Sequence, residues 1–298
     1  MKWGIVFAST AFPEPDRAIA MAQAAEQAGF ESLWCPEHVV VAVGDNVTPY
    51  SGSADGKMDR LWRRGGIPDP LIWLAFVAGS THSINLGTNV VVVPEHQPTV
   101  LAKSAATLDA LAGGRLLLGI GVGELPEEYA AVGMEFTNRG RRMDESIEAM
   151  RELWTEEVAS YHGRFVDFAG IDAYPRPVQR PVPFVIGGHM KASLRRAVTR
   201  GHGWYGFMTT PESTARCLDA LRETASRVER PVALGRLEIT VTPYGPFTHD
   251  QARAYADLGV DRVVPWHIDW TRFPGDAVLP SDWRGVEAAI EADLRALD

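Results

Sequence analysis

Leu116-Leu117-Leu118-Gly119-Ile120-Gly121-Val122-Gly123-Glu124 carries an apolar run into three alternating glycines and then an ionisable carboxylate. An unbroken apolar run suits a strand covered on both faces, as in a parallel sheet. Glycines at its end let a flat ring or a phosphate approach the backbone, and a carboxylate just beyond stands where barrel strands open to ligand. Three glycines equally serve a tight bend. The rest of the chain favours the first reading, because seven other strand ends have a similar character.

Working outward, β-rich runs alternate with segments of helical period. The predicted strands are Trp3–Ala8, Ser32–Pro36, Ile84–Val93, Arg115–Gly121, Val182–Gly187, Gly203–Met208, Gly235–Thr242 and Val260–Trp266. Helices are expected over Asp16–Ala28, Pro70–Thr81, Thr99–Ala112, Arg141–Glu156, Lys191–Arg200, Pro211–Arg227, Asp250–Leu258 and Val286–Leu297. In Arg141–Glu156, Met143, Ile147, Met150 and Trp154 recur at helical spacing, the pattern of a helix that covers a sheet. Gly29, Gly113, Gly201 and Gly259 mark helix exits. Eight strand–helix units joined by right-handed crossovers predict one (β/α)8 TIM barrel over residues 1–298, a single α/β domain, with a long loop after strand two that could act as a lid. Between Glu157 and Arg180 the prolines favour extended or turn structure leading to the fifth strand.

The composition excludes several functions. Net charge is −9 and cationic runs are scarce, which argues against nucleic acid. The two cysteines are too few for a disulfide framework, and Cys35 lies inside an apolar strand, so a reducing cytoplasm is expected. The sequence has neither a signal-peptide pattern nor a run of roughly 20 apolar residues, so no membrane span is expected.

The predicted strand ends place Ser9 and Thr10, Glu37-His38, Glu95-His96, Glu124, Gly187-Gly188-His189, Thr209-Thr210 and Trp266-His267 at the carboxyl mouth. His38 and His189 make the stronger site candidates, whereas His96 and His267 read as satisfied surface or core residues. Gly187-Gly188-His189-Met190-Lys191-Ala192-Ser193 joins a strand end to a helix start, so its amides can meet a phosphate, with Ser193 adding a contact; an ordinary βα turn is the alternative. Neither glycine cluster has dinucleotide-fingerprint or Walker spacing. A metal-dependent hydrolase is disfavoured, since strand one lacks a His-x-His pair and no compact ligand cluster appears; no metal is expected.

Taken together, Ser32-Leu33-Trp34-Cys35-Pro36-Glu37-His38, Leu86-Gly87-Thr88-Asn89-Val90-Val91-Val92, Ala102 to Asp109, Gly113-Gly114-Arg115, Gly121-Val122-Gly123, Asn138 to Glu145 and Val185-Ile186-Gly187-Gly188 resemble the luciferase-like monooxygenase superfamily. The set is most similar to the branch that uses the deazaflavin coenzyme F420. The resemblance implies a barrel, a homodimer and a flavin-type ring at the strand ends. It implies a catalytic role for His38 near the ring's reactive centre and a cis peptide at Asn89-Val90 behind the ring. It further implies cofactor approach at Gly121 and Gly123 and phosphate contact at Gly187-Gly188, which the sequence extends to His189 and Ser193. Glu124 takes the place of a glutamate that is catalytic in some deazaflavin dehydrogenases and tryptophan in many relatives. Glu95-His96 depart from the aromatic–basic pair of the family, which marks an altered substrate pocket.

The expected activity is hydride transfer between F420 and a small organic substrate, with His38 handling the proton, since an unperturbed imidazole exchanges protons near neutral pH. Lys57, Arg60, Arg63 and Arg64 offer contacts to the oligoglutamate tail of F420, or are ordinary solvated charges. The alternatives are an FMN-dependent monooxygenase and a non-catalytic flavin or deazaflavin binder.

Overall fold

In the computed structural model, residues 1–43, 48, 66–244 and 247–265 are described. Eight parallel barrel segments close on themselves. In order they are Lys2–Val6, Ser32–Cys35, the split third strand Asn85–Thr88 and Val91–Val92, Leu116–Gly121, Phe184–Gly187, Gly203–Thr209, Glu238–Pro243 and Arg262–Val263. Closure is made by the first strand, which pairs with the second at Gly4↔Ser32 and with the eighth at Trp3↔Val263. Apart from the terminal helix and the end of the eighth strand, which lie outside the described residues, the sequence reading of the barrel holds.

Strand parity sorts the core into two layers. Outward-facing Leu33, Leu86, Leu118, Ile186 and Val241 pack with Met21, Leu74, Met150 and Leu194 of the surrounding helices. The helix Arg139–Thr155 buries Met143, Ile147, Met150 and Trp154, as the periodicity requires. Inward-facing residues form a separate cluster of Val6, Phe7, Trp34, Val185, Tyr205 and Val264. Trp34 is wholly buried, its indole N–H donates to Ser32 Oγ at 2.8 Å, and its ring lies 5.1 Å from that of Tyr205. Below it Arg262, 1% exposed, forms a two-pronged ion pair with Glu31 at 2.6 and 2.7 Å and donates to Thr240 at 2.9 Å. The amino end of the barrel is therefore filled by side chains, and open space is left to the carboxyl end.

The structure alters the expectation in four places. The first strand stops at Val6, and Ala8–Ala11 form a short helix. The third strand does not run unbroken from Ile84 to Val93: its register with the fourth slips by one residue between Gly87↔Leu117 and Val91↔Ile120. That extra residue is a bulge at Asn89-Val90, and Val93–Glu95 then form a short 3-10 turn. Within the proline-rich connection, Ala159–His162 and Asp167–Ile171 pair as an antiparallel hairpin. A helix absent from the sequence reading, Pro126–Ala131, follows the fourth strand. No described helix is long and apolar enough to cross a membrane.

Gly119 tests the packing argument, because a Cβ built on it falls 1.7 Å from the Thr88 carbonyl oxygen, a backbone atom that cannot swing aside. Gly119→Ala is expected to destabilise the protein by at least the ~1–3 kcal/mol of an overpacked core site. Gly79→Ala, where nothing lies within 4 Å and φ is −72°, should be neutral or mildly stabilising. Urea denaturation of the two variants checks the contrast.

Candidate active site

The bulge directs Val90 into the barrel mouth. A Cβ on Gly121 would fall 2.5 Å from Val90 Cγ2, and one on Gly187 would fall 2.8 Å from Val90 Cγ1. Glycine at both positions therefore allows one isopropyl group to lie across two strand ends and form a half-buried apolar shelf. The Asn89–Val90 peptide is cis, as the resemblance implied. Asn89 donates its amide N–H to Cys35 O at 2.9 Å, which fastens the bulge to strand two.

Beside the shelf stand two imidazole–carboxylate pairs. His38 Nδ1 lies 2.9 Å from Glu128 Oε2, so the histidine after strand two is oriented by the helix after strand four. Glu37 accepts a hydrogen bond from the Val92 amide at 2.6 Å, and both of its oxygens lie 3.1 Å from His96 Nε2. Burial draws the His96 imidazole down, but the hydrogen bond and charge of Glu37, with Glu95 and Asp69 behind it, outweigh that and raise it above its ordinary value. Glu95 is 5% exposed; burial first, then the charges of Glu128 and Glu37, push its carboxyl up to about 8, against an opposite pull from His96. Gly123 connects this group to the fourth strand. At φ +61° it turns the chain, and a Cβ there would lie 2.7 Å from Val92 Cγ1 and 3.6 Å from Glu95 Oε1. Tyr129 donates to the Val122 carbonyl at 2.6 Å and ties the Glu128 helix to the same strand end.

The structure thus brings His38, Asn89, Val90, Gly121, Gly123 and Gly187 to one end of the barrel. Glu124 is half-buried just beyond Gly123. Gly188, at φ +110°, hydrogen-bonds across to the sixth strand through the Tyr205 carbonyl, while Trp204 Nε1 donates to the Gly188 carbonyl at 2.8 Å. His189 is exposed, with its ring 6.3 Å from that of Trp204. Ser193 Oγ donates to the Met190 carbonyl at 2.7 Å, so its hydroxyl proton is engaged within the turn, leaving lone pairs but no free donor for a phosphate. The helix Lys191–Arg200 has no side-chain cap hydrogen bond at its start. Lys57, Arg60, Arg63, Arg64 and His267 lie outside the described residues.

Sequence reasoning placed Glu37 at the mouth without giving it a role, passed over Glu128, and took His96 for a satisfied residue. The available signal was the doublet Glu127-Glu128 behind Pro126, a helix start within one turn of the glycine run. His202, by contrast, has no part in the mouth: it sits before strand six, accepts from the Phe184 amide at 3.1 Å, and burial followed by Arg151 and Arg230 lowers it to about 4. Among the described residues no group of three or more His, Cys, Asp or Glu side chains is arranged to hold a metal. An outer cleft lined by Lys103, Trp154 and Tyr174 contains none of the mouth residues.

The description "luciferase-like monooxygenase" matches residues 2–295. The chain belongs to that family. An uncharacterized Mycobacterium tuberculosis protein is 32% identical over 278 residues, covering 92% of this chain and 93% of the relative. An F420-dependent glucose-6-phosphate dehydrogenase from Kineococcus radiotolerans is 29% identical, covering 80% of this chain and 66% of that protein. The crystal structure of monooxygenase RslO1 from Streptomyces bottropensis aligns with a TM-score of 0.65 at 26% identity, over 87% of this chain and 75% of that one.

Removing the charge at Glu37 isolates its effect on His96. Glu37→Gln should lower the His96 titration midpoint in a proton NMR titration, with the His38 signal far less affected. Because the folded-state value of His96 is raised, its contribution to stability is complete below the ordinary imidazole range and is lost as pH rises through the raised value. The Gln variant should therefore lose stability on the acid side of that window and converge with the parent above it.

Proposed function

We propose that this chain is an oxidoreductase that transfers hydride between coenzyme F420 and a small organic substrate. The reading rests chiefly on the apolar shelf of Val90 over Gly121 and Gly187, set beside the His38–Glu128 pair. It draws further support from relatives named as F420-dependent dehydrogenases at 29% and 30% identity. The residues present fit a flat ring with an anionic tail: two strand ends are kept free of Cβ atoms, Val90 offers a flat apolar backing, and the uncapped helix start at Lys191 offers amides to a phosphate.

When bound, a deazaflavin supplies a two-electron carrier that gives or takes hydride. The chain supplies the rest. Val90 and the backbone at Gly121 and Gly187 back one face and exclude water from it. His38 exchanges the substrate proton at Nε2, because Nδ1 is engaged by Glu128 Oε2, and that contact fixes the ring's orientation. Glu128 is 1% exposed and keeps its own position through the Tyr129 anchor. Glu124, at the rim, is assigned to substrate contact. The helix Pro70–Ala78 exposes Ile72 and Phe76 one turn apart, and Val100 is exposed on the adjoining helix Pro98–Leu111; we assign this face to a homodimer.

Titration of purified protein with F420, FMN and nicotinamides tests the cofactor: F420 binding is expected, and tight FMN binding without F420 binding would replace this reading with an oxygen-using monooxygenase. His38→Ala should retain cofactor binding and lose about 10²–10⁴-fold in kcat, the usual contribution of a positioned general acid or base. Sedimentation should show a dimer that Phe76→Asp converts to monomer.

A further inference from the structure

Glu95 is unlike the other carboxylates of the mouth. Among the described residues neither of its oxygens has a hydrogen-bond partner, although the residue is 5% exposed. Among the described residues, the titratable groups acting on it belong to the two imidazole pairs: Glu37 and its partner His96 on one side, and Glu128, the partner of His38, on the other. Tyr129 packs behind Glu128, and Arg139 and Arg142 act on Tyr129 from the helix Arg139–Thr155. Three largely buried carboxyls therefore surround two partly buried imidazoles. If all three ionised, these described groups would carry one more negative charge than the two imidazoles can match. A shared buried site resolves such an excess by keeping one carboxyl protonated. Glu128 and Glu37 each already bond an imidazole, and Glu37 also holds the Val92 amide. Glu95 is the carboxyl that no hydrogen bond stabilises as an anion.

We propose that Glu95 is a positioning residue that stores a proton for this site: a neutral carboxylic acid between the Glu37–His96 and Glu128–His38 pairs, whose ionisation state sets how firmly His96 holds its proton. The inference rests on the reading of this mouth as the place of proton exchange. While Glu95 is neutral, each imidazole has one carboxylate to itself. When Glu95 releases its proton to solvent at alkaline pH, a second negative charge arises beside Glu37 and the imidazolium of His96 is retained more strongly. No electron moves in this step, and the proton count balances between Glu95 and bulk water.

The experiment is an infrared pH titration of cofactor-free protein, comparing the parent with Glu95→Gln and Glu95→Asp. The parent should show the carbonyl band of a protonated carboxylic acid at neutral pH that disappears on titration around pH 8; Glu95→Gln should lack it, and Glu95→Asp should move it. In turnover, the pH profile of kcat/KM for Glu95→Gln should match the parent on the acid side and depart from it on the alkaline side. Absence of the band from the parent, its survival in Glu95→Gln, or superimposed alkaline profiles would overturn the proposal. If Glu95→Gln does not fold, carboxyl-carbon NMR of the parent with labelled glutamate decides, since one carboxyl must titrate far above the others. The infrared reading is taken without cofactor, so its failure is distinct from a failure to bind F420.

Discussion

A wholly buried indole determines how space is distributed in this barrel. Trp34 occupies the centre because Gly4 and Gly87 face it without side chains; a Cβ on Gly87 would lie 2.5 Å from the indole. Tyr205 lies against one side of it, and its hydroxyl meets Thr242 Oγ1 at 2.6 Å, while the Arg262 guanidinium lies 5.6 Å from the indole below. Truncating a buried tryptophan costs about 3–5 kcal/mol, so this plug is a main source of the fold's stability and not only a filler. With the lower barrel filled, the inward-facing glycines at 121 and 187 make room for the Val90 side chain at the mouth.

Arg262 shows why the plug can include a charge. A buried guanidinium is costly unless its donors are used. Here Glu31 takes two of them, and Thr240 and Glu238 take others at 2.9 and 3.1 Å. Burial resists ionisation of Glu31, and the hydrogen bond and charge of Arg262 outweigh it, leaving that carboxyl below its ordinary value. The amino end of the barrel is thus an ion-pair network that holds strands two, seven and eight together, and the carboxyl end gathers carboxylates and imidazoles. The two groups of charge are separated by the Trp34 layer.

At the mouth the chain carries Glu95-His96: His96 takes the carboxylate of Glu37 and leaves Glu95 enclosed. The shelf beneath is made of Val90 and two glycines. Backbone geometry and proton chemistry are carried by different residues, which lets one vary without disturbing the other.

The alternation of apolar strands with amphipathic helices, the family resemblance and the glycine positions were legible in the chain itself, because they depend on periodicity and local backbone demands. Met143, Ile147, Met150 and Trp154 had to share a face at helical spacing, and Gly121 and Gly187 had to end strands. The pairing of His38 with Glu128, of Glu37 with His96, and the enclosure of Glu95 joined residues 59 to 90 positions apart, or left a group with none. Such contacts exist only when the strand order and the one-residue bulge at Asn89-Val90 bring separate strand ends to a common mouth. A charge acquires its chemistry from its neighbours and from the exclusion of water, and both were decided by the closed barrel.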